Sequence, residues 1–186
     1  MYCDKSLKEY LDDLAARLPA PGGGSAAAMN AAMGAGLISM VVNFTLGKPR
    51  YAKFENELKE ILEKSEKLRA EFLRLVDLDV AAFESKNIRG ALEVPLAVCR
   101  LCFEGINSCP PLVKKGNLNL ISDVAVAAVF LESAFASAFF NVEINLRCLN
   151  DKELTKAVRK ELMQKGRKVT QIRLNTEERI GKIIRG

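Results

Sequence analysis

Three consecutive glycines, Gly22–Gly24, followed by Ser25, form the part of the sequence best suited to hold a ligand. Glycine frees the backbone from side-chain crowding, so a ligand can approach exposed N–H groups closely. Pro19 and Pro21 prevent a helix before this point, and we expect Ser25 to be the N-cap of the helix that follows. The segment therefore predicts a rigid elbow at a helix N-terminus, which suits an anionic or electron-rich group.

The same segment also fits a plain helix-capping loop. It differs from a P-loop because no Lys-Ser/Thr pair follows the glycines, and from the dinucleotide fingerprint because the glycines are contiguous and no strand precedes them. A capping loop and a ligand site therefore both remain open at this point.

A carboxylate interrupts an otherwise apolar stripe further along the chain. The segment from Tyr51 to Ser85 is predicted to be one long helix, because its apolar residues recur at alternating intervals of four and three. Asp79 occupies a core-facing position in this stripe. A carboxylate there is costly unless it is paired or protonated, which makes Asp79 a candidate acid or base. A hydrogen bond to a buried helix end, or a stripe that has already ended, explains it equally well.

The chain contains no histidine and five cysteines. Proton transfer near neutral pH therefore falls to a carboxylate, Lys, Cys, Tyr or water. Cys99 and Cys102 form a C-x-x-C inside a predicted helix, and without a second pair we interpret them as buried thiols. We expect no metal site. Asp123 stands at the start of another predicted helix, where an ordinary first-turn acid is the simplest interpretation.

These residues must be positioned by helices. The apolar periodicity predicts an all-α protein, with residues 1–186 as a single domain built as an antiparallel bundle of five to six helices. Ser6 and Glu9 predict a capping box for the first helix, whose apolar face carries four leucines. The other helices are predicted to begin at Ser25, at Tyr51, near Leu92 with Pro95 in the first turn, at Ile121 or Ser122, and in the basic C-terminal segment; Gly116 is predicted to be a left-handed helix stop.

Two of the predicted helices carry almost no charge. The stretch from Ala26 to Leu46 has none, and the stretch from Val124 to Phe140 has only Glu132. We expect both helices to be buried. They hold more apolar surface than amphipathic neighbours can cover, which predicts a homodimer. The first is long enough to span a bilayer, but its polar residues argue against a membrane helix.

The net charge of +5 is concentrated at the C-terminus. Residues 151–186 hold eleven Lys/Arg and five Asp/Glu, and their apolar residues recur at helical spacing. This pattern is typical of an amphipathic helix with a solvated basic face, so we do not expect nucleic-acid binding. Five cysteines without a signal peptide predict a cytoplasmic protein.

Taken together, these segments resemble the cyclodeaminase/cyclohydrolase family, which comprises the C-terminal domain of formiminotransferase-cyclodeaminase and the free-standing methenyltetrahydrofolate cyclohydrolases. The resemblance covers nearly the whole chain. Its most specific piece is Pro19-Ala-Pro-Gly-Gly-Gly-Ser25-Ala with the helix that follows, through Asn43-Phe-Thr-Leu-Gly47-Lys48. Shorter pieces follow in order: Asp79 with Ala82-Phe83, Val94-Pro95-Leu96, Gly116-Asn117 with Ser122-Asp123, and Asn141 through Ile144-Asn145-Leu146.

The resemblance implies an all-helical homodimer that acts on a tetrahydrofolate derivative without a cofactor. The implied reaction is hydrolysis of 5,10-methenyltetrahydrofolate to 10-formyltetrahydrofolate, through a tetrahedral carbon between N5 and N10. Formiminotetrahydrofolate cyclodeaminase is the alternative, less favoured because the sequence holds no formiminotransferase domain. A non-catalytic folate-binding helical dimer is a third possibility.

The resemblance also implies roles for individual residues. Asp79 and Asp123 would stand at the reacting centre, as base or charge stabiliser, and in a dimer the elbow and Asp79 would line a cleft between subunits. The elbow amides would contact the ligand, two asparagines would orient folate or water, and three cations would meet the folate glutamate carboxylates. The candidate substrate-binding residues are Gly22, Gly23, Gly24, Ser25, Asn43, Lys48, Arg50, Lys114 and Asn117.

Overall fold

The computed structural model describes residues 1–186, and every regular element in it is helical. The seven α-helices are α1 (Leu7–Ala15), α2 (Gly23–Asn43), α3 (Glu55–Glu84), α4 (Ile88–Ile106), α5 (Cys109–Lys115), α6 (Ile121–Leu149) and α7 (Lys152–Arg185). Short 3-10 helices cover Tyr2–Asp4, Pro49–Phe54 and Leu118–Leu120. The all-α prediction is confirmed, with the seven-residue α5 added to six longer helices.

The core is built around α2 and α6, and small residues allow them to approach closely. A Cβ atom at Gly34 of α2 would come within 3.0 Å of the Leu131 Cγ atom of α6. Leu131 is fully buried and also lies against Gly105 of α4. The glycine and alanine content of α2 therefore serves tight helix packing, because a larger side chain would separate the two helices.

The helices α2 and α6 run in opposite directions. The Asn30 side-chain amide donates to Ser133 Oγ at 2.7 Å, near the middle of both helices. The Asn117 side-chain amide, just before α6, donates to the Phe44 carbonyl at the far end of α2, at 3.1 Å. The start of α2 therefore lies beside the end of α6, and the end of α2 lies beside the start of α6.

Several local predictions are confirmed. Ser6 and Glu9 form a capping box at α1, and Cys99 and Cys102 are buried free thiols. The predicted stripe of α3 faces the core, where the buried positions include Leu58, Ser65, Leu68, Phe72, Leu75 and Ala82. Spacing alone identified these positions because a helix face repeats at a fixed interval.

The predicted start of α4 and the predicted left-handed stop at Gly116 are wrong. The helix α4 begins at Ile88, because the Asn87 side chain accepts a hydrogen bond from the Gly90 N–H at 3.0 Å and caps it there. Pro95 therefore lies inside α4, beyond its first turn. Gly116 has a φ of −80° and an extended backbone, so it is no left-handed stop. A Cβ atom there would lie 2.6 Å from the Leu112 carbonyl oxygen, so small size is what this position requires.

The helix α1 presents most of the leucines of its predicted apolar face outward. Leu7, Leu11 and Leu18 are exposed, whereas Tyr10 is buried with 4% of its surface accessible. Tyr10 lies three residues after Leu7 and four before Leu14, so it belongs to the leucine side of the helix. Leu14 also packs against the core, and the other leucines stay uncovered within one chain.

The segments Gly23–Asn43 and Leu118–Leu149 are long and apolar enough to cross a membrane, judged by length and composition alone. Of the most apolar window in each, 61% is buried inside the chain for the first and 39% for the second. Core helices of soluble proteins have the same character. The prediction that both helices are buried holds for α2, whereas α6 keeps an exposed apolar side, with Val126, Val129, Phe140 and Ile144 all accessible.

Candidate functional site

Asp79 of α3 lies directly against the glycine elbow at the start of α2. The Ser25 N–H donates to Asp79 Oδ2 at 2.8 Å. A Cβ atom on Gly24 would fall 2.2 Å from Asp79 Oδ1, so only glycine allows this approach. The predicted meeting of the carboxylate and the elbow is therefore observed. The simpler interpretation of Asp79, a hydrogen bond to a helix end, describes the same contact.

The prediction that Ser25 is the N-cap of α2 is wrong. The helix begins at Gly23, with Gly22 as an N-cap that has no side chain to accept a hydrogen bond. Ser25 is the third helical residue, and Asp79 accepts from the amide that an N-cap side chain normally occupies. The Ser25 amide is therefore already bonded, whereas the Gly23 and Gly24 amides have no partner within the helix.

The environment of Asp79 shifts its proton affinity. Burial raises the pKa of the carboxyl above its usual value, and the hydrogen bond from the Ser25 backbone partly opposes this increase. No Lys or Arg forms a salt bridge with Asp79. A carboxylate with a raised pKa is a stronger base than an exposed aspartate, which suits proton transfer.

Tyr10 is a further residue of this site, and no sequence pattern placed it there. Its hydroxyl lies 3.1 Å from Ser25 Oγ, and its ring packs edge-to-face on Tyr2 at 5.4 Å between centroids. Burial raises the pKa of Tyr10, so the hydroxyl keeps its proton and can donate. The available signal was a tyrosine at helical spacing from Leu7 and Leu14 of α1, but only packing shows which helix end it meets.

Asp123 lies far from Asp79 within one chain. The Cβ position of Gly34 is 3.3 Å from the Ala127 carbonyl oxygen, and Asp123 precedes Ala127 by about one helical turn. Asp123 is therefore level with residue 38 of α2, about 20 Å along the helix from Gly24 at 1.5 Å per residue. One chain does not bring the two candidate carboxylates to a common centre.

Asn117 lies at the Asp123 end and supports the local backbone. Its N–H donates to Thr45 Oγ1 at 2.9 Å, its side-chain amide donates to the Phe44 carbonyl, and its Oδ1 accepts from the Asn119 N–H at 3.1 Å. These bonds fix the exit of α2 and start the 3-10 helix that precedes α6. One side-chain N–H of Asn117 remains available for a ligand.

The remaining predicted binding residues are also at this second end. Asn43, Lys48, Arg50 and Lys114 are exposed, and none of the three cations forms a salt bridge within the chain. The structure therefore divides the predicted site into two groups. The elbow and Asp79 form one, and Asp123 with the asparagines and cations forms the other. No three Cys, Asp or Glu side chains come together as a metal-binding cluster.

The fold and the elbow define a class of all-helical proteins, in which a carboxylate from one helix lies against the glycine-rich start of an uncharged central helix. The family model described as formiminotransferase-cyclodeaminase matches residues 6–87 and 85–164. The chain belongs to this family.

Individual relatives agree with this assignment. Methenyltetrahydrofolate cyclohydrolase of Methylorubrum extorquens is 39% identical over 182 residues, covering 86% of this chain and 88% of that protein. Formimidoyltransferase-cyclodeaminase of Rattus norvegicus is 32% identical over 171 residues, covering 80% of this chain. The alignment spans 32% of that longer protein.

A solved structure matches the complete fold. The crystal structure of formiminotetrahydrofolate cyclodeaminase from Thermotoga maritima superposes with a TM-score of 0.92 at 30% sequence identity. The match covers 97% of this chain and 98% of that one. The helix arrangement described above is therefore shared with that enzyme.

Proposed function

We propose that this protein is a methenyltetrahydrofolate cyclohydrolase, which converts 5,10-methenyltetrahydrofolate and water to 10-formyltetrahydrofolate. The observation that carries the proposal is the half-buried Asp79 carboxylate held at 2.8 Å from the Ser25 amide, against the glycine backbone. The 39% identity to the Methylorubrum extorquens cyclohydrolase over most of both chains supports it. The chain offers no histidine for the same chemistry.

The reaction needs a group that accepts a proton and later returns it. In the first step water attacks the cationic methenyl carbon, a C–O bond forms, and the Asp79 carboxylate takes the proton that the water loses. In the second step the bond between this carbon and N5 breaks, the protonated Asp79 gives its proton to N5, and the hydroxyl proton leaves to solvent as the formyl C=O forms. The raised pKa of Asp79 suits both transfers.

We further propose that the working site forms between two copies of the chain. The exposed apolar side of α6, with Phe140 at 78% and Ile144 at 55% accessibility, offers a surface that a second copy can cover. A two-fold axis near the middle of α2 and α6 would place the Asp79 end of one chain beside the Asp123 end of its partner. Both groups of candidate residues would then face one substrate.

This arrangement also gives a role to the unpaired cations. Lys48, Arg50 and Lys114 would lie beside the substrate bound at the partner's elbow, where they would attract the folate glutamate carboxylates. Asp123 would stabilise positive charge on the folate nitrogens, because a carboxylate in a partly dry cleft interacts strongly with a cation.

The test follows the absorbance of 5,10-methenyltetrahydrofolate with and without the protein, against spontaneous hydrolysis. The wild-type protein is expected to accelerate its loss. Asp79→Asn and Asp123→Asn, with unchanged circular dichroism, are each expected to lower turnover by well over tenfold, about the scale of a lost general base. Near-normal turnover in both variants would remove them from the mechanism.

Formiminotetrahydrofolate cyclodeaminase is the second candidate, favoured by the TM-score of 0.92 to the Thermotoga maritima enzyme. In that reaction N10 attacks the formimino carbon and ammonia leaves, so the same tetrahedral carbon forms. Ammonia release from formiminotetrahydrofolate, measured with the same variants, distinguishes the two. A protein that binds folate but catalyses neither reaction would be a folate-binding dimer.

A further inference from the structure

A groove of about 570 Å³ opens next to the elbow and lies outside the contact between Asp79 and the elbow glycines. It lies where the end of α3, the start of α4 and the end of α6 meet, and Pro19 of the elbow closes one side. Its volume is within the range of small-molecule pockets. We call it the α3–α4 groove.

The groove continues directly from the elbow. Phe83 lines the groove and stands one helical turn after Asp79 on the same face of α3. Asn145 also lines it and stands one turn after Asn141, whose side-chain amide nitrogen lies 3.5 Å from the Cβ position of Gly23. A molecule that reacts beside Asp79 can therefore extend into the groove without a break.

The walls of the groove are apolar and open. Phe83 and Ile88 line it and remain 56% and 53% exposed, on either side of the turn between α3 and α4. An exposed phenylalanine next to an exposed isoleucine is a surface that a planar ring can cover. Pro19 provides a third apolar contact from the elbow.

The rim of the groove places hydrogen-bond acceptors beside donors. Glu84 and Lys86 line it, and neither forms an ion pair within the chain. Asn87 uses its Oδ1 atom to cap α4, which leaves its side-chain N–H groups free. A 2-amino-4-oxopyrimidine edge carries an amino group and a ring N–H next to a carbonyl oxygen. The carboxylate of Glu84 matches the two donors, and Lys86 or Asn87 matches the carbonyl oxygen.

We propose that the α3–α4 groove binds the pterin ring of the substrate, with Glu84 accepting hydrogen bonds from its amino-pyrimidine edge. This proposal rests on the proposed function for the identity of the ligand. A pterin ring bound in the groove directs the N5–N10 bridge toward Asp79. The glutamate tail then extends toward the cations of the other subunit. Phe83, Ile88 and Glu84 then select a flat amino-pyrimidine ring.

Two exposed cysteines provide a test that does not depend on catalysis. Cys148 lines the groove, whereas Cys3 lies elsewhere, with its Sγ 3.1 Å from the Leu73 carbonyl oxygen. The pKa of Cys3 is raised to about 11 by burial, so its own alkylation rate is slow and serves as an internal reference. The probe is 6-hydroxymethylpterin, and the readout is N-ethylmaleimide labelling followed by peptide mass spectrometry.

At a pterin concentration about four times its Kd, labelling of Cys148 is expected to slow about fivefold, because only the free protein reacts. Labelling of Cys3 is expected to stay the same. Unchanged labelling of Cys148 at pterin concentrations that saturate binding would place the ring elsewhere and overturn the proposal. So would equal slowing at both cysteines.

A substitution that removes the charge of Glu84 but keeps its shape tests the assigned contact. Glu84→Gln is expected to weaken 6-hydroxymethylpterin binding about tenfold in a calorimetric titration, because it removes charge-assisted hydrogen bonds. Glu60→Gln is the matched control, since Glu60 is exposed on the same helix outside the groove. Equal affinity in wild type and Glu84→Gln would contradict the role of Glu84.

These outcomes separate the groove from the reaction. A protein that hydrolyses methenyltetrahydrofolate while pterin leaves Cys148 unprotected refutes the groove and keeps the proposed function. A protein in which pterin protects Cys148, but which accelerates neither folate reaction, keeps the groove and refutes the function.

Discussion

The contact between Gly24 and Asp79 is the residue-level feature on which the site depends. The carboxylate lies where a Cβ atom of any other residue would be, and its oxygen accepts from the next amide along the helix. Asp79 therefore supplies from another helix the capping hydrogen bond that the N-cap Gly22 cannot, and this bond also sets the position of a base. A structural contact and a catalytic one coincide in the same side chain.

Gly24→Ala is expected to lower turnover about a hundredfold while the helical content is retained, because the new methyl group displaces the Asp79 carboxylate and misplaced catalytic groups lose rate on this scale. Gly36→Ala is the matched control, since it lies in the same helix away from the elbow and its Cβ would lie at an ordinary 3.6 Å from the Arg69 side chain. Steady-state kinetics of both variants measures the difference. Equal activity in the two would show that the position of Asp79 is unimportant.

Asp79→Asn is expected to raise the melting temperature at pH 7. Burial raises the pKa of Asp79 above its value in the unfolded chain, so ionised Asp79 opposes folding. This penalty is fully present above the folded pKa and disappears as the pH falls to the unfolded value of about 3.9. Thermal unfolding at pH 7 and at about pH 3 should show a gain only at the higher pH. A lower melting temperature at pH 7 would contradict it.

Tyr10→Phe is expected to lower kcat about tenfold with little change in KM. The Tyr10 hydroxyl contacts Ser25, and the Ser25 N–H in turn positions the Asp79 carboxylate. Loss of the hydroxyl contact loosens the Ser25 amide, so the acid limb of the pH–rate profile should move to higher pH. Tyr2→Phe is the control, because the Tyr2 hydroxyl donates to Asp13 instead. An unchanged pH profile in Tyr10→Phe would limit Tyr10 to a packing role.

At the scale of helices, α6 joins the core to the outer surface. One side fits against the small residues of α2 and α4, with Leu131 between Gly34 and Gly105. The other side is apolar and exposed. The two sides should therefore respond differently to the loss of a side chain, since only one is buried within the chain.

Leu131→Ala is expected to lower the free energy of unfolding by about 3 kcal/mol, the usual cost of a cavity in a rigid core. Val129→Ala, on the exposed side, is expected to cost about 0.5 kcal/mol or less where the chain is monomeric, and more where the proposed dimer covers that side. Urea denaturation of both variants at a low and a high protein concentration measures this. A small loss for Val129→Ala at every concentration would contradict burial of that side by a second copy.

At the scale of the whole molecule, the two groups of candidate residues lie at opposite ends of α2, about 20 Å apart. One reacting carbon cannot lie beside both Asp79 and Asp123 of the same chain at that distance. In the proposed two-copy arrangement, the partner supplies the missing end.

Co-expression of Asp79→Asn and Asp123→Asn chains with different tags tests the composite site. In a mixed dimer one site carries both substitutions and the other carries none, so about a quarter of the wild-type activity is expected after random pairing. The control is two differently tagged Asp79→Asn chains, which should regain nothing. No recovery in the mixed dimer would contradict a composite site.

Local sequence patterns determined a large part of this protein. The capping box at Ser6, the core-facing register of Asp79 and the glycine elbow were all readable, because a cap or a helical face depends on residues within a few positions of one another. The N-cap position of Gly22 was not predicted. The capping hydrogen bond comes from the Asp79 carboxylate, 54 residues after Ser25, and not from a side chain next to the helix start.

Only the tertiary structure decided which helix ends meet. Periodicity indicates which face of α1, α3 or α6 is apolar, but it does not say what packs there or in which direction the partner runs. Tyr10 therefore emerged as a neighbour of Ser25, and Asp123 separated from Asp79, only when the helices were packed together. The reason is physical: side-chain spacing is a property of one helix, whereas the distance between two helix ends is a property of the whole core.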